Sequence, residues 1–343
     1  MSPSTTPLHD VFVFDEEAFR RSIAYPLVTT NLKGVFHTPP PAKAFDPNKA
    51  SAADLVKNGF LIRRPAASDP AENHAAWKRV FSRKWRPEDR IVPISEPQIG
   101  KTHILRRAVR KAVDTSYLGY QWAGGVIDTG KWTGVIGFWN IPTVSKPAEA
   151  QGTEGGWNSS SWIGIDGFNT ATLVSNDVLQ AGIQQRVDAQ GHAHYVAWYE
   201  WYAPIQNNSP GYVYQTNISN FPVNPGQQVY CSVQYVNNGT AGSLYFANET
   251  TGQHFSITLA PPPGATFKGN TIEWIMEAPD GGEPVSSLPK FTPVQFTSCI
   301  GCGPSNAFGN PQNGDRVNVE NTSNKVLTAT TLGSSAVTVT FIG

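Results

Sequence analysis

Cysteine is scarce in this chain. Cys231, Cys299 and Cys302 are the three in 343 residues. Three thiols cannot all pair within one chain, so a disulfide framework is excluded as the source of stability. Cys299 and Cys302 form a lone C-x-x-C, where a structural zinc site needs four ligands. They read as two loop thiols or one small local bridge, and no metal or other cofactor is expected. Long apolar runs are missing too. No stretch approaches the ~20 residues of a membrane-spanning helix, so no membrane partner is expected. The opening MSPSTTPLHDVFVFDEEAF has no basic region followed by an apolar one and is not a secretory signal as written. Charge is sparse: Asp, Glu, Lys and Arg make up 15%, against roughly 25% in ordinary soluble domains. What is plentiful is glycine (31), proline (27) and aromatic residues (11%). That composition suits many strands joined by tight turns.

The charge is unevenly spread. Residues 1–115 carry 19 Lys and Arg against 12 Asp and Glu; the remainder carries 7 against 14. A basic front and an acidic back attract one another at neutral pH. The two parts also differ in pattern. Residues 1–115 read as loops and helices. DPAENHAAWKRVFSRKW has Asp69 as helix cap, Pro70 in the first position and Glu72 three residues after the cap, then Trp77, Phe81 and Trp85 at intervals of four. SAADLVKNG reads as a second helix, from Ser51 to Gly59, and KTHILRRAVRKAVD as a third. The basic residues bring no nucleic-acid-binding motif with them, so they read as a solvated or docked face and nucleic acid is not an expected partner. From residue 116 to 343 short alternating runs dominate. VTVTFIG puts Val337, Val339 and Phe341 on one side, and VYCSVQYV does the same for Val229, Cys231, Val233 and Tyr235. Such runs, with turn signals between them, predict an all-β antiparallel sandwich behind a smaller helix and loop segment.

Four of the strands have a second face that is not ordinary surface. In SWIGIDG, Ile163 and Ile165 alternate with Trp162, Gly164 and Asp166. In DVLQAGI, Leu179, Ala181 and Ile183 alternate with Val178, Gln180 and Gly182. In AWYEWYAP, Tyr199 and Trp201 alternate with Trp198, Glu200 and Tyr202. In NTIEWIMEAP, Ile272, Trp274 and Met276 alternate with Glu273, Ile275 and Glu277. Each alone has a dull explanation, such as a surface amide, a buried acid bonded to a tyrosine, or packing tryptophans. Together, aromatics, carboxylates and one primary amide on a single face describe a groove for a chain-like substrate.

At these residues the sequence resembles the glutamic peptidases (the G1 family, or eqolisins). WAGGVI, WIGIDG, LQAG, AWYEWYAP, the hairpin in LYFANETTGQHFS, EWIMEAP and VQFTSC occur in that family's order, over roughly residues 120–343. The resemblance implies a concanavalin A-like jelly roll, peptide or protein substrates, acid activity insensitive to pepstatin, and a monomer. It implies a catalytic pair at Gln180 and Glu277, supporting carboxylates at Asp166 and Glu200, and groove aromatics at Trp122, Trp162 and Tyr202, with Trp198 beside them on the same face. Residues 1–115 are then a propeptide or cover, or else a separate partner-binding domain. Secretion or another acidic compartment would be usual in the family, but the cysteines of its disulfides are mostly absent here.

Such a pair would hydrolyse an amide as follows. Ionised Glu277 takes a proton from water and later gives it to the leaving nitrogen. The Gln180 amide donates to the developing oxyanion. Crowded carboxylates favour an acid optimum. The competing reading is a lectin-like sandwich that binds or hydrolyses carbohydrate with Glu200 and Glu277. A non-catalytic peptide-binding module is a third. No G-x-S-x-G is present, and His192 and His194, in a hairpin turn, have no evident third metal ligand.

Overall fold

The computed structural model describes residues 14–82, 86–105, 108–112, 114, 116–148, 156–206, 208–236, 239–279, 288–304 and 307–343. Trp85, read as the last aromatic of a helix, lies outside them. Among the described residues the chain is mostly β, in two ten-stranded sheets and one two-stranded sheet. All pairings in them are antiparallel except that of Asp315–Val319 with Tyr117–Gly119.

The first sheet is centred on Gln228–Val236, Gly134–Asn140 and Val294–Cys302, and the second on Val178–Val187, Trp157–Ile165 and Ile272–Glu277. Alternation decides what lies between them. Ile163, Ile165, Leu179, Ala181, Ile183, Tyr199, Trp201, Trp274 and Met276 of the second sheet pack against Val229, Cys231, Val233, Tyr235, Val337 and Val339 of the first in one buried core. Trp274 crosses the interlayer, its indole N–H donating to the Ile136 carbonyl at 2.8 Å. Burying a side chain of this kind stabilises by roughly 1.5–3 kcal/mol.

The N-terminal segment holds on to both sheets. Val35–His37 pairs with His254–Leu259 at one edge of the first sheet. Ser95–Pro97 pairs with Thr216–Ile218 at an edge of the second, and Arg110–Lys111 pairs with Tyr117–Gly119 at its other end. Between the first two lie the helices Ala52–Lys57 and Ala71–Phe81. Leu55, Phe60, Trp77, Val80 and Phe81 pack on Ile136, Phe138, Tyr230 and Ile300, the outer face of the first sheet. Arg79 lies over the Phe138 ring at 3.8 Å and donates to the Thr297 and Ser298 hydroxyls, each at 3.0 Å.

Several sequence expectations change. Ser51 does cap its helix, accepting from the Asp54 N–H at 3.1 Å. The next helix begins after Pro70 without a side-chain cap. Asp69 instead accepts the Ala66 N–H and the Arg63 guanidinium, closing the turn before it. The expected helix over 101–114 is not formed among its described residues: 101–105 has no regular secondary structure, and Arg110–Lys111 is a strand. Cys299 and Cys302 are free and lie on the strand Val294–Cys302, not in a loop.

Candidate active site

The second sheet's outward face is assembled by register. Gln180 stands opposite Glu200 on one side and Gly164 on the other. Gly164 faces Glu273, and Glu277, four residues along that strand, faces Ser160 and Trp122. Opposed residues share a face. Gln180, Glu200, Glu273 and Glu277 are therefore on the same side, away from the intersheet core. Glycine keeps this face open where the large rings lie. A Cβ on Gly164 would come 2.9 Å from the Trp162 ring, and one on Gly182 would be 2.4 Å from the Trp162 Cβ and 2.3 Å from the Ser161 carbonyl oxygen.

Two indoles aim Glu277. Its Oε2 accepts the Trp162 Nε1–H at 2.7 Å and its Oε1 the Trp122 Nε1–H at 3.3 Å. The two rings meet edge-on, 4.8 Å between centroids. Trp198 donates instead to the Ser160 hydroxyl at 2.8 Å. The Gln180 Nε2 donates to Glu200 Oε2 at 3.0 Å. Gln180, Glu200 and Glu277 are all completely buried.

What buries them is the stretch 101–105, which had read as a helix. The Gln180 Nε2 also donates to the His103 carbonyl at 2.6 Å, and the His103 N–H donates to Glu200 Oε2 at 2.8 Å. The His103 Nδ1 lies 2.8 Å from Glu277 Oε2, and its Nε2 lies 3.0 Å from Gln215 Oε1. The ring stacks flat on Trp198, with centroids 3.8 Å apart and planes 9° apart. Its neighbours are anchored similarly: Gln121 donates to the Ile104 carbonyl at 2.6 Å, and the Gln215 N–H donates to that of Lys101 at 2.8 Å. Leu105 and Val109 pack with Trp122, Trp162, Trp198 and Ile275. Sequence reasoning missed His103, Gln121 and Gln215. Their signal is long-range, because each matters only once 101–105 lies across the sheet.

Burial drives the electrostatics. Desolvation pushes the Glu200 carboxyl up to about 8, against the opposing pull of His103. Desolvation would lower His103, but Glu277, Glu200 and Gln215 together outweigh it and the imidazole is raised above its usual value. Both ring nitrogens then donate, to Glu277 and to Gln215. Glu273 is held well above the carboxylate range by burial, with Thr271 pulling the other way.

Asp166 departs from the expected alternation. It has a φ of 69°, a left-handed conformation that swings its carboxylate out of the row. It accepts from the Tyr235 hydroxyl at 2.9 Å and from the Gly269 and Asn270 N–H groups at 2.8 Å each. It fastens a loop to the core and makes no hydrogen bond to Gln180 or Glu277. Tyr202 is half-buried and lines a cleft of about 190 Å³ with Ile104, Leu105, Asp177 and Pro204. His192 and His194 both face Asp188 Oδ2, at 3.3 and 3.1 Å. Among the described residues no group is arranged to hold a metal.

Comparison with known proteins gives the chain's relatives. The Peptidase A4 family model matches residues 120–341. Aspergillopepsin-2 of Aspergillus niger is 28% identical over 234 residues, covering 64% of this chain and 77% of the relative. Scytalidopepsin B of Scytalidium lignicola is 28% identical over 185 residues, covering 52% of this chain and 62% of the relative. The crystal structure of scytalido-glutamic peptidase with a transition state analog inhibitor shares the fold, with a TM-score of 0.52 at 21% identity over 65% of this chain and 98% of that one.

Proposed function

The chain belongs to the Peptidase A4 family, the glutamic or G1 peptidases, and is a glutamic endopeptidase; on that premise we propose that Gln180 and Glu277 are its catalytic pair and that residues 101–105 close the site in this chain. One observation carries this reading: both side chains converge on one residue, with Gln180 on the His103 carbonyl and Glu277 on the His103 ring.

With a substrate peptide in place of residues 101–105, the Gln180 Nε2–H faces the carbonyl to be attacked. The group that holds a ground-state carbonyl at 2.6 Å is placed to hold an oxyanion. Glu277, oriented by the Trp162 and Trp122 N–H groups, takes a proton from a water molecule and returns it to the departing nitrogen. Glu200 keeps the Gln180 amide turned with its NH₂ toward the substrate, since Glu200 Oε2 accepts from that NH₂. Asp166 takes no part in this scheme. The carbohydrate alternative gives way to the family assignment.

In the closed chain the imidazolium of His103 occupies Glu277 and leaves it no free Oε2 for water. The test is digestion of a denatured protein at about pH 3.5 with pepstatin present. Wild type is expected to digest it, and Gln180→Ala and Glu277→Gln are not. Equal digestion by all three would end the proposal.

A further inference from the structure

The stretch over the site is held as a peptide is held. Its His103 and Ile104 carbonyls are taken by side-chain amides of Gln180 and Gln121, and its His103 N–H is given to Glu200. The carbonyl on Gln180 belongs to His103, so the bond presented for attack is His103–Ile104. What differs from a productive complex is the side chain at this position.

That side chain sits in a built pocket. Trp198 forms its floor, in flat contact with the ring. Gln215 forms one wall. Its Nε2 is committed to Gln184 Oε1 at 2.8 Å and Asn217 Oδ1 at 2.7 Å, so its Oε1 is fixed toward the ring as an acceptor. Glu277 forms the other wall. A flat ring fits this pocket, and two nitrogens on it fill both acceptors. A phenyl ring keeps the stacking and the carbonyl contact but offers Glu277 nothing.

We infer, on the reading of the site as a peptidase centre, that it sorts peptides by the ring they lay on Trp198: histidine is retained as an inhibitor, and a carbocyclic aromatic is cut. In the second case Glu277 is free to hold water. The water oxygen bonds to the carbonyl carbon, the bond from that carbon to the next residue's nitrogen breaks, and the proton taken by Glu277 passes to that nitrogen. A carboxylic acid and an amine result. Gln215 and Trp198 are then specificity-determining residues, and one side chain separates an inhibitory cover from a substrate.

The test uses the full chain carrying His103→Phe, beside wild type and the double variant His103→Phe with Gln180→Ala. Each is incubated at about pH 3.5 and followed by intact mass and amino-terminal sequencing. The single variant is expected to acquire a new amino terminus at Ile104 at least about tenfold faster than wild type, and the double variant is not. Equal rates in wild type and the single variant would overturn the inference. A second arm covers a failure of the single variant to fold. The His103→Ala chain is given peptides of the sequence of residues 98–109 with histidine or phenylalanine at the sixth position. The first is expected to inhibit competitively and remain whole, and the second to be cut after that position. If the second stays intact while the same enzyme digests a denatured protein, the sorting idea fails and the peptidase reading stands. If no protein is digested, the peptidase reading fails and takes this inference with it.

Discussion

The indole N–H of Trp162 points at Glu277 Oε2 from the neighbouring strand at 2.7 Å, so a tryptophan that passes for packing orients the proposed general base. Trp162→Phe keeps most of the packing and deletes that donor. The expected result is a fall in kcat of about 10–100-fold with KM little changed, whereas Gln180→Ala, which removes the oxyanion donor, should cost about 100–1,000-fold. Steady-state kinetics on one peptide separates the two. A KM effect alone for Trp162→Phe would reduce the ring to a groove wall.

Glu200 supplies a stability prediction with a definite sign. Burial pushes its carboxyl up to about 8 in the folded chain, against an ordinary value of 4.5. Between those values the folded state keeps a proton that the unfolded state has released, so stability falls as pH rises through that window. Glu200→Gln cannot titrate and should flatten this part of the profile. Its Tm relative to wild type should be higher at about pH 7.5 than at about pH 4, as read by calorimetry.

His103 runs by the same rule. Its folded value is raised by Glu277, with Glu200 adding in the same direction. Its contribution is therefore complete below about 6.5, the unfolded value, and is lost as pH rises through the raised folded one. The Tm difference between wild type and His103→Ala should be larger at about pH 6 than at about pH 9. A difference constant across that range would mean the ring contributes packing alone.

Gly182→Ala tests the packing that keeps this face available. The added Cβ meets backbone at 2.3 Å and the base of Trp162 at 2.4 Å, and neither is the free end of a flexible chain. A loss of more than about 3 kcal/mol, or no folded protein, is expected in denaturant titration.

Arg79→Ala addresses the docking of the helix Ala71–Phe81. It removes the ring contact with Phe138 and two hydroxyl bonds. About 1–2 kcal/mol of stability should be lost, with proteolysis appearing first in the helical part.

Much of the proposed centre was legible in the sequence because strand alternation is a local code. Trp162, Gln180, Trp198, Glu200 and Glu277 each alternate with core residues along their strands, and the register brings them to one face. Asp166 broke the code at the strand's end, where one left-handed residue turns the side chain elsewhere. KTHILRRAVRKAVD misled for a different reason. Its apolar residues satisfy helical spacing, but His103, Leu105 and Val109 are also odd-numbered and all buried, as an extended chain would have them. Their backbone partners, Glu200, Gln180, Gln121, Gln215 and Asn169, come from far along the chain. No window of local sequence contains them.

The edge pairings of the N-terminal segment bear on what a cut would accomplish. Upstream of His103 the chain is stitched to a rim of each layer, and downstream of it to the opposite rim of the layer bearing the catalytic face. A nick at that point severs one covalent link and none of these seams. The enzyme would continue as two polypeptides in one body, like a staple snipped at its bridge with both prongs still seated, and only the few residues over the cleft would gain the freedom to swing away.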